Sequence, residues 1–545
     1  MSRPQDDSDL APSQARLRIV FAATATSDDE TRWTLHAVQA LTLRGHDVAI
    51  AAPTGGSLAA AAADQRLATR ALRTGARLDP RVGRTARNAF PKPDAVIALD
   101  PAALALARRA AAPLVLARTE HPAGWPHASE APAAILVPPG TATDSNGGVP
   151  IRVVTDAVGT GAGPRPDRTA ARRALRLPRR VHLALHVEPL VAGGGQETTL
   201  RALAKLVQRG GVAPLPKLAF LGTGPEEARL HVLGHDLGLN DHVLWLGMRK
   251  DVRAYLEAVD SLLVPRPDRT PRGVVLDALA LAVRVVARAT PATRDGLGGA
   301  ARLVAGGDDE AWAAALAQAC APDGGGESPG EQAHDRAVTE LSAAAVAADL
   351  ECAVYAHDLR RRPLPRRAAL FLDRDGTLVR NVPYNDDPAA IVLEPRVGRA
   401  LRWARDAGFA LVVVSNQSGV GRGLVSPAQV EAIHARIRSL LQPDGADLDA
   451  LYFCPHEPED ACTCRKPLPG LLQRAAAEMD LDLASSVGIG DAPRDVEAAR
   501  AAGAAARGYR GAGAELQAWP DGVQVHEDWL MLVRDVLADA WAQRR

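Results

Sequence analysis

At 545 residues the chain exceeds what one hydrophobic core organises, so two or three domains are expected. With 64 Lys and Arg against 64 Asp and Glu the formal net charge is zero, which removes any global electrostatic case for binding nucleic acid or an anionic membrane. The hydrophobic fraction of 47% is that of a globular protein.

Residues 1–16 are polar and acidic, without the apolar stretch of a signal peptide. No later segment approaches ~18 uninterrupted apolar residues. A disordered tail, a cytoplasmic location and no integral membrane segment are therefore expected. LRIVFAAT, from Leu17 to Thr24, reads as a strand, a helical stretch follows, and RGHDVAIAAP supplies a second strand. Further short apolar runs come at DAVIALD, PLVLART and AAILVPP, separated by Ala-rich helical sequence or by Pro and Gly turns. The sum is a doubly wound α/β domain over 17–155, ending near the loop TATDSNGGVP and the strand IRVVTDAV.

A second alternation over 156–360 predicts another doubly wound domain. Its strands are VHLALHVEPL, KLAFLGTG, HVLWLG and SLLVPRP, and a long amphipathic segment from Gln332 to Leu359 closes it. The Pro- and Arg-rich stretch at 361–367 is the expected linker. A third α/β domain, 368–545, opens with AALFLDRDGT.

This third domain carries the chemistry. An apolar strand delivers Asp373 and Asp375 where it ends, which is where open parallel sheets bind ligands. The two carboxylates are separated by one residue where the strand gives way to a loop, so one can attack phosphorus while the other reaches the leaving oxygen. Gly376 and Thr377 then turn the chain. FALVVVSNQSG leaves the Ser415 hydroxyl at the next strand end as a phosphate-oxygen donor, and SSVGIGDAPRD leaves Asp491 at a third. Asp491 completes a hard-oxygen set suited to Mg²⁺. CRKP supplies Arg465 and Lys466, cations able to neutralise carboxylates and a transferring phosphoryl group. Asp495 reads as a helix N-terminal carboxylate.

Of five cysteines, Cys320 and Cys352 sit alone in helical patterns and read as core residues. Cys454, Cys462 and Cys464 crowd with His456 into CPHEPEDACTCRKP. Three thiolates and an imidazole suit tetrahedral Zn²⁺ with no position left for water, so the site is expected to be structural. Its last ligand directly precedes Arg465 and Lys466, so the metal would fix those cations.

In order and type, DRDGT, Ser415, Lys466 and Asp491 resemble the four motifs of the haloacid dehalogenase superfamily. The resemblance implies that Asp373 becomes an aspartyl-phosphate and that Asp375 protonates the leaving group and then activates water. It also implies that Asp373, Asp491 and the Asp375 carbonyl hold Mg²⁺. The zinc loop resembles the branch shared by D-glycero-D-manno-heptose 1,7-bisphosphate phosphatases and histidinol-phosphate phosphatases. SNQSGVGRG is more similar to the heptose enzymes, and Asn381 to Tyr384 occupies their substrate loop. By that resemblance Asn381, Tyr384, Asn416, Gln417 and Arg465 contact a sugar phosphate.

Residues 17–360 resemble the GT-B glycosyltransferases that use nucleotide sugars, through RGHDVAIAAP, FLGTGPEEARL, HVLWLGMRKDVRAYLEAVDSLLVP and GVVLDALALAVRVVA. Where that family places Arg and Lys on the diphosphate, this chain reads HVEPLVAGGGQET, with Glu188 and glycines. The family's paired glutamates fall on Arg269 and Asp277, of which Asp277 could still accept a ribose hydrogen bond. A divergent transferase, a noncatalytic sugar- or nucleotide-binding module and a scaffold all remain open for this region. The expected whole is a GT-B-like pair of α/β domains fused to a Mg²⁺-dependent, zinc-stapled sugar-bisphosphate phosphatase.

Overall fold

In the computed structural model the chain is described over residues 16–72, 93–109, 115–118, 135–137, 151–153, 167–210, 214–249, 251–266, 272–290, 301–306, 308–321, 342–364 and 366–544. Positions 293, 297 and 334 are added to these, and 512, 513, 515 and 516 are excepted. The chain divides into two compact units, one over Leu17–Ala347 and one over Ala348–Arg545.

The first unit holds two parallel sheets. One contains β1 (Arg18–Ala22), β2 (Asp47–Ala52), β3 (Thr69–Ala71), β4 (Ala95–Ala98), β5 (Val115–Arg118), β6 (Ile135–Val137) and β7 (Ile151–Val153), in the order β3-β2-β1-β4-β5-β6-β7. The other contains β8 (Leu183–Val187), β9 (Lys217–Leu221), β10 (Val243–Gly247), β11 (Ser261–Val264), β12 (Arg284–Arg288) and β13 (Arg302–Val304), in the order β10-β9-β8-β11-β12-β13. Both are doubly wound, as the alternation of apolar runs and helical stretches predicts. β1, β4 and β8 are almost wholly buried, because helices cover both faces of a parallel sheet and its strands are mainly apolar, with His186 of β8 as a buried polar exception.

The second unit is built on β14 (Ala369–Leu372), β15 (Ala410–Asn416), β16 (Ala450–Cys454), β17 (Val487–Gly490), β18 (Ala505–Tyr509) and β19 (Val525–His526), in the order β16-β15-β14-β17-β18-β19. The order reverses at β14. The strands leave it in opposite directions to β15 and β17, and a crevice opens at their carboxyl ends.

Residues 348–361 of the helix Ala343–Arg361 belong to this second unit, although the pattern of the sequence assigns them to the preceding domain. The reason is buried acid. Asp349 is fully buried and accepts hydrogen bonds from Trp403 Nε1 at 3.0 Å and from Arg399 at 3.3 Å. Asp358 accepts from Trp541 Nε1 at 3.0 Å. Glu351, also fully buried, lies 3.4 Å from Arg534. Buried carboxylates require such partners, and all of these lie beyond the expected linker. Cys352 is core, as expected, and burial lifts its thiol well above the ordinary range.

No described helix is long and apolar enough to cross a membrane.

Candidate active site

β14 ends at Leu372 and delivers Asp373 into the crevice, where its backbone N–H donates to the Ile489 carbonyl at 2.9 Å. β17 ends at Gly490 and delivers Asp491 beside it. The side chains of Asp373, Asp491 and Asp495 each offer an oxygen within 4.8 Å of the others. Gly376, at φ +78°, passes so close that a Cβ there would lie 2.2 Å from Asp491 Oδ2. Only glycine permits both that turn and that approach.

A buried cation, Lys466, faces these three acids. Lys466 Nζ lies 2.5 Å from Asp373 Oδ1, 2.6 Å from Asp495 Oδ1 and 2.8 Å from the Val414 carbonyl, and the residue is 3% exposed. Burial pushes Asp373 up to about 7; Lys466 works against that shift while Asp495, Asp491 and Asp375 add to it. Asp491 is pushed up to about 6 by burial and then by Asp495. Burial opposes the charge on Lys466, yet Asp373 and Asp495 raise its pKa overall. Lys466 and the exposed Arg494, which also favours the ionised form of Asp491, bring two positive charges to three carboxylates, and Asp491 Oδ1 is buried without a hydrogen-bond donor. A divalent cation with oxygen ligands fits that deficit.

Asp495 has a larger part than its place in a helix's first turn suggests. It does cap the Ala492 N–H, at 3.1 Å, but it is also the second anchor of Lys466. The signal available in the sequence was its spacing of four from Asp491, which puts both acids at one helix start.

Ser415, 1% exposed, closes β15 on the other side of Asp373. The next two residues turn inward. Asn416 holds the Lys466 backbone with two hydrogen bonds, Nδ2 to the carbonyl and Oδ1 from the N–H, both at 3.0 Å. Gln417 Nε2 donates to Asp375 Oδ2 at 2.9 Å and to Ser415 Oγ at 2.8 Å. Arg374, absent from the sequence-based set, is buried against Asp375 and Gln417.

Cys454, His456, Cys462 and Cys464 converge as the spacing predicts, and all three thiols are free. Their Sγ atoms lie 3.4 to 3.6 Å apart, and His456 Nδ1 is 3.5 Å from Cys454 and 3.3 Å from Cys464. A tetrahedron with ~2.3 Å metal–sulfur bonds has edges of about 3.8 Å, so the cluster has the size of a closed metal site. The loop is tied to the crevice. The Gln417 N–H donates to the Cys454 carbonyl at 2.7 Å, and Arg465 Nη1 donates to the His456 carbonyl at 3.1 Å.

Tyr384, at φ +51° and 50% exposed, accepts a hydrogen bond from Arg422 at 2.9 Å, and Arg422 reaches Glu457 of the cysteine loop at 3.1 Å. Asn381 is exposed three residues earlier.

Residues 463–517 match the family described as HAD-hydrolase-like, and residues 160–321 match glycosyl transferases group 1. The D-glycero-beta-D-manno-heptose-1,7-bisphosphate 7-phosphatase of Bordetella bronchiseptica is 35% identical over 176 residues, 31% of this chain and 98% of the relative. That of Yersinia pestis is 40% identical over 141 residues, 25% of this chain and 75% of the relative. The chain belongs to the heptose-1,7-bisphosphate 7-phosphatase family. Its first unit is a further body that this phosphatase family chain carries. A glycosyltransferase from Rickettsia africae shares that body's fold at a TM-score of 0.50 and 15% identity, covering 62% of this chain and 97% of its own.

Within this phosphatase's transferase-like unit, the expected donor positions are engaged elsewhere. Asp277 pairs with Arg32 at 2.9 Å and lies 3.7 Å from Arg253. Glu188 is buried 3.8 Å from His186. Arg269 lies outside the described residues. A cavity of about 450 Å³ is lined by Gly193, Gly194 and Gly195 together with Arg266, Arg288 and Trp312.

Proposed function

We propose that the second unit is a Mg²⁺-dependent phosphomonoesterase that removes the 7-phosphate of D-glycero-D-manno-heptose 1,7-bisphosphate through an aspartyl-phosphate. The observation that carries this reading is the convergence of Asp373, Asp491, Asp495 and Lys466 at the point where the strand order reverses. The named relatives support the choice of substrate.

In the proposed reaction an Asp373 carboxylate oxygen attacks phosphorus and the bond from phosphorus to the C7 oxygen breaks. Asp375 gives its proton to that oxygen. Water then loses a proton to Asp375 and attacks the phosphoryl group, which frees Asp373 and inorganic phosphate. Lys466 and the Ser415 hydroxyl take the phosphoryl oxygens, and Arg465, Asn381 and Tyr384 take the sugar and its second phosphate. Asn416 and Gln417 serve by placing Lys466 and Asp375. Asp373, Asp491 and the Asp375 carbonyl would hold Mg²⁺, which when bound neutralises charge on the transferring group. Cys454, His456, Cys462 and Cys464 would hold a structural Zn²⁺. A cytoplasmic location is part of the same proposal.

Phosphate release from heptose 1,7-bisphosphate, histidinol phosphate and simple sugar phosphates tests the substrate. The heptose bisphosphate should exceed the others in kcat/KM by at least about 10²-fold, as a second phosphate held by a charge-assisted contact can supply. Faster release from histidinol phosphate would transfer the assignment to that ester. For the first unit, the Gly- and Arg-lined cavity supports a nucleotide sugar as ligand. Calorimetric titration with common donors should give binding heat, and silence with all of them would leave the unit as a scaffold.

A further inference from the structure

Asp375 is gripped from two sides. Arg374 Nε lies 3.0 Å from each of its carboxylate oxygens, and Nη2 lies 2.8 Å from Oδ2. The amide of Gln417, contributed from beyond the end of β15, closes the ring: its Oε1 accepts from Arg374 Nη2 at 3.0 Å, and its Nε2 donates to Asp375 Oδ2 and to Ser415 Oγ. The orientation of that amide is forced. Reversed, it would set an NH₂ donor against a guanidinium donor and turn a carbonyl toward a carboxylate. A primary amide has two N–H groups, and both are engaged, so Gln417 has no donor left for a substrate.

The clamp has a wall and an opening. The Arg374 side chain is 4% exposed, whereas that of Asp375 is 26% exposed. Asp375 also stands outside the trio of carboxylates that converge within 4.8 Å, although only Arg374 separates it from Asp373 along the chain. An unrestrained carboxylate at that position could swing toward a divalent cation and cease to be a proton carrier.

We propose that Arg374 and Gln417 are positioning residues for the Asp375 carboxyl, holding it on the leaving-group side and apart from the three converging acids, so that this carboxyl serves proton transfer. The inference rests on the phosphomonoesterase reading above. It concerns one step: as the P–O bond to the leaving oxygen breaks, the proton of Asp375 passes to that oxygen, and the bond electrons need no other acceptor.

The dependence on leaving group tests it. An alkoxide needs the proton as it departs, whereas a nitrophenolate does not. The ratio kcat/KM runs through departure of the leaving group and so reports that step without the later hydrolysis. Gln417→Met keeps the bulk and removes the hydrogen bonds. It should lower kcat/KM for the best alkyl phosphate ester by roughly 10²-fold, the low end of general acid catalysis, and for p-nitrophenyl phosphate by less than about threefold. Arg374→Lys, which keeps the charge and loses the fork, should show the same split at smaller size and covers the case in which Gln417→Met does not fold. Equal losses on the two esters, or no loss on the alkyl ester, would overturn the positioning role. If the parent protein hydrolyses neither ester, the phosphomonoesterase reading fails and takes this inference with it.

Discussion

Asp373→Asn is expected to lower kcat for phosphate release by at least about 10⁴-fold, or roughly 5 kcal/mol of barrier, while leaving the fold intact. The amide is a poor nucleophile toward a phosphate ester, and the exchange also withdraws one anionic oxygen from the three carboxylates that converge there. Stability moves the other way in the metal-free protein. Burial holds the Asp373 carboxyl near 7 in the folded chain, above its ordinary value of 3.8, so the folded state binds this proton more tightly than the unfolded one. The sign is then fixed: as pH rises from 4 toward 7, ionising Asp373 costs the parent stability that an uncharged Asn does not lose. Thermal melting in chelator at pH 8 should therefore place Asp373→Asn at or above the parent. Retained turnover in this variant would remove Asp373 from the nucleophile's role.

Cys464→Ala should cost the chain the zinc proposed for its cysteine loop and at least about 10²-fold in kcat/KM, at saturating Mg²⁺. Cys464 is joined to Arg465 and Lys466 without a spacer, and the same loop accepts the Gln417 N–H on the Cys454 carbonyl. Loss of the metal thus loosens the ammonium that faces Asp373 and the turn that carries Gln417. Cys454 is fully buried among the side chains of β14, β15 and the helix Gly470–Met479, so part of the core is disturbed as well. Elemental analysis of the purified variant, paired with turnover, checks both halves of this expectation. A zinc-free variant with parental kcat/KM would reduce the loop to a passive staple.

The sheets were legible because parallel strands covered on both faces must be continuous apolar runs, and Asp373 and Asp491 stand out as charges at the ends of such runs. The cysteine loop was legible from ligand type and spacing. Arg374 was not, because its value lies in a contact with Gln417, 43 residues away, and no periodicity records which residues meet across two strand ends. Gln417 and Asn416 invited a substrate role for the same reason: an amide beside a motif serine looks available until its partners are known. The helix Ala343–Arg361 gave a correct helical pattern and no address. Ala-rich helical sequence does not say which body it will pack in, and only Asp349 and Glu351, charges in a stretch that proves buried on every side over 344–356, hinted that it needed particular donors.

That helix bears on how such a chain could have been assembled. An exchange of gene segments at the Pro- and Arg-rich stretch would separate Asp349 and Asp358 from Trp403, Arg399 and Trp541. The heritable module is therefore longer than the enzyme that its motifs outline. A cut upstream of Asp349 would keep these pairs together, because residues 348–361 of the helix belong to the same compact unit as the phosphatase motifs.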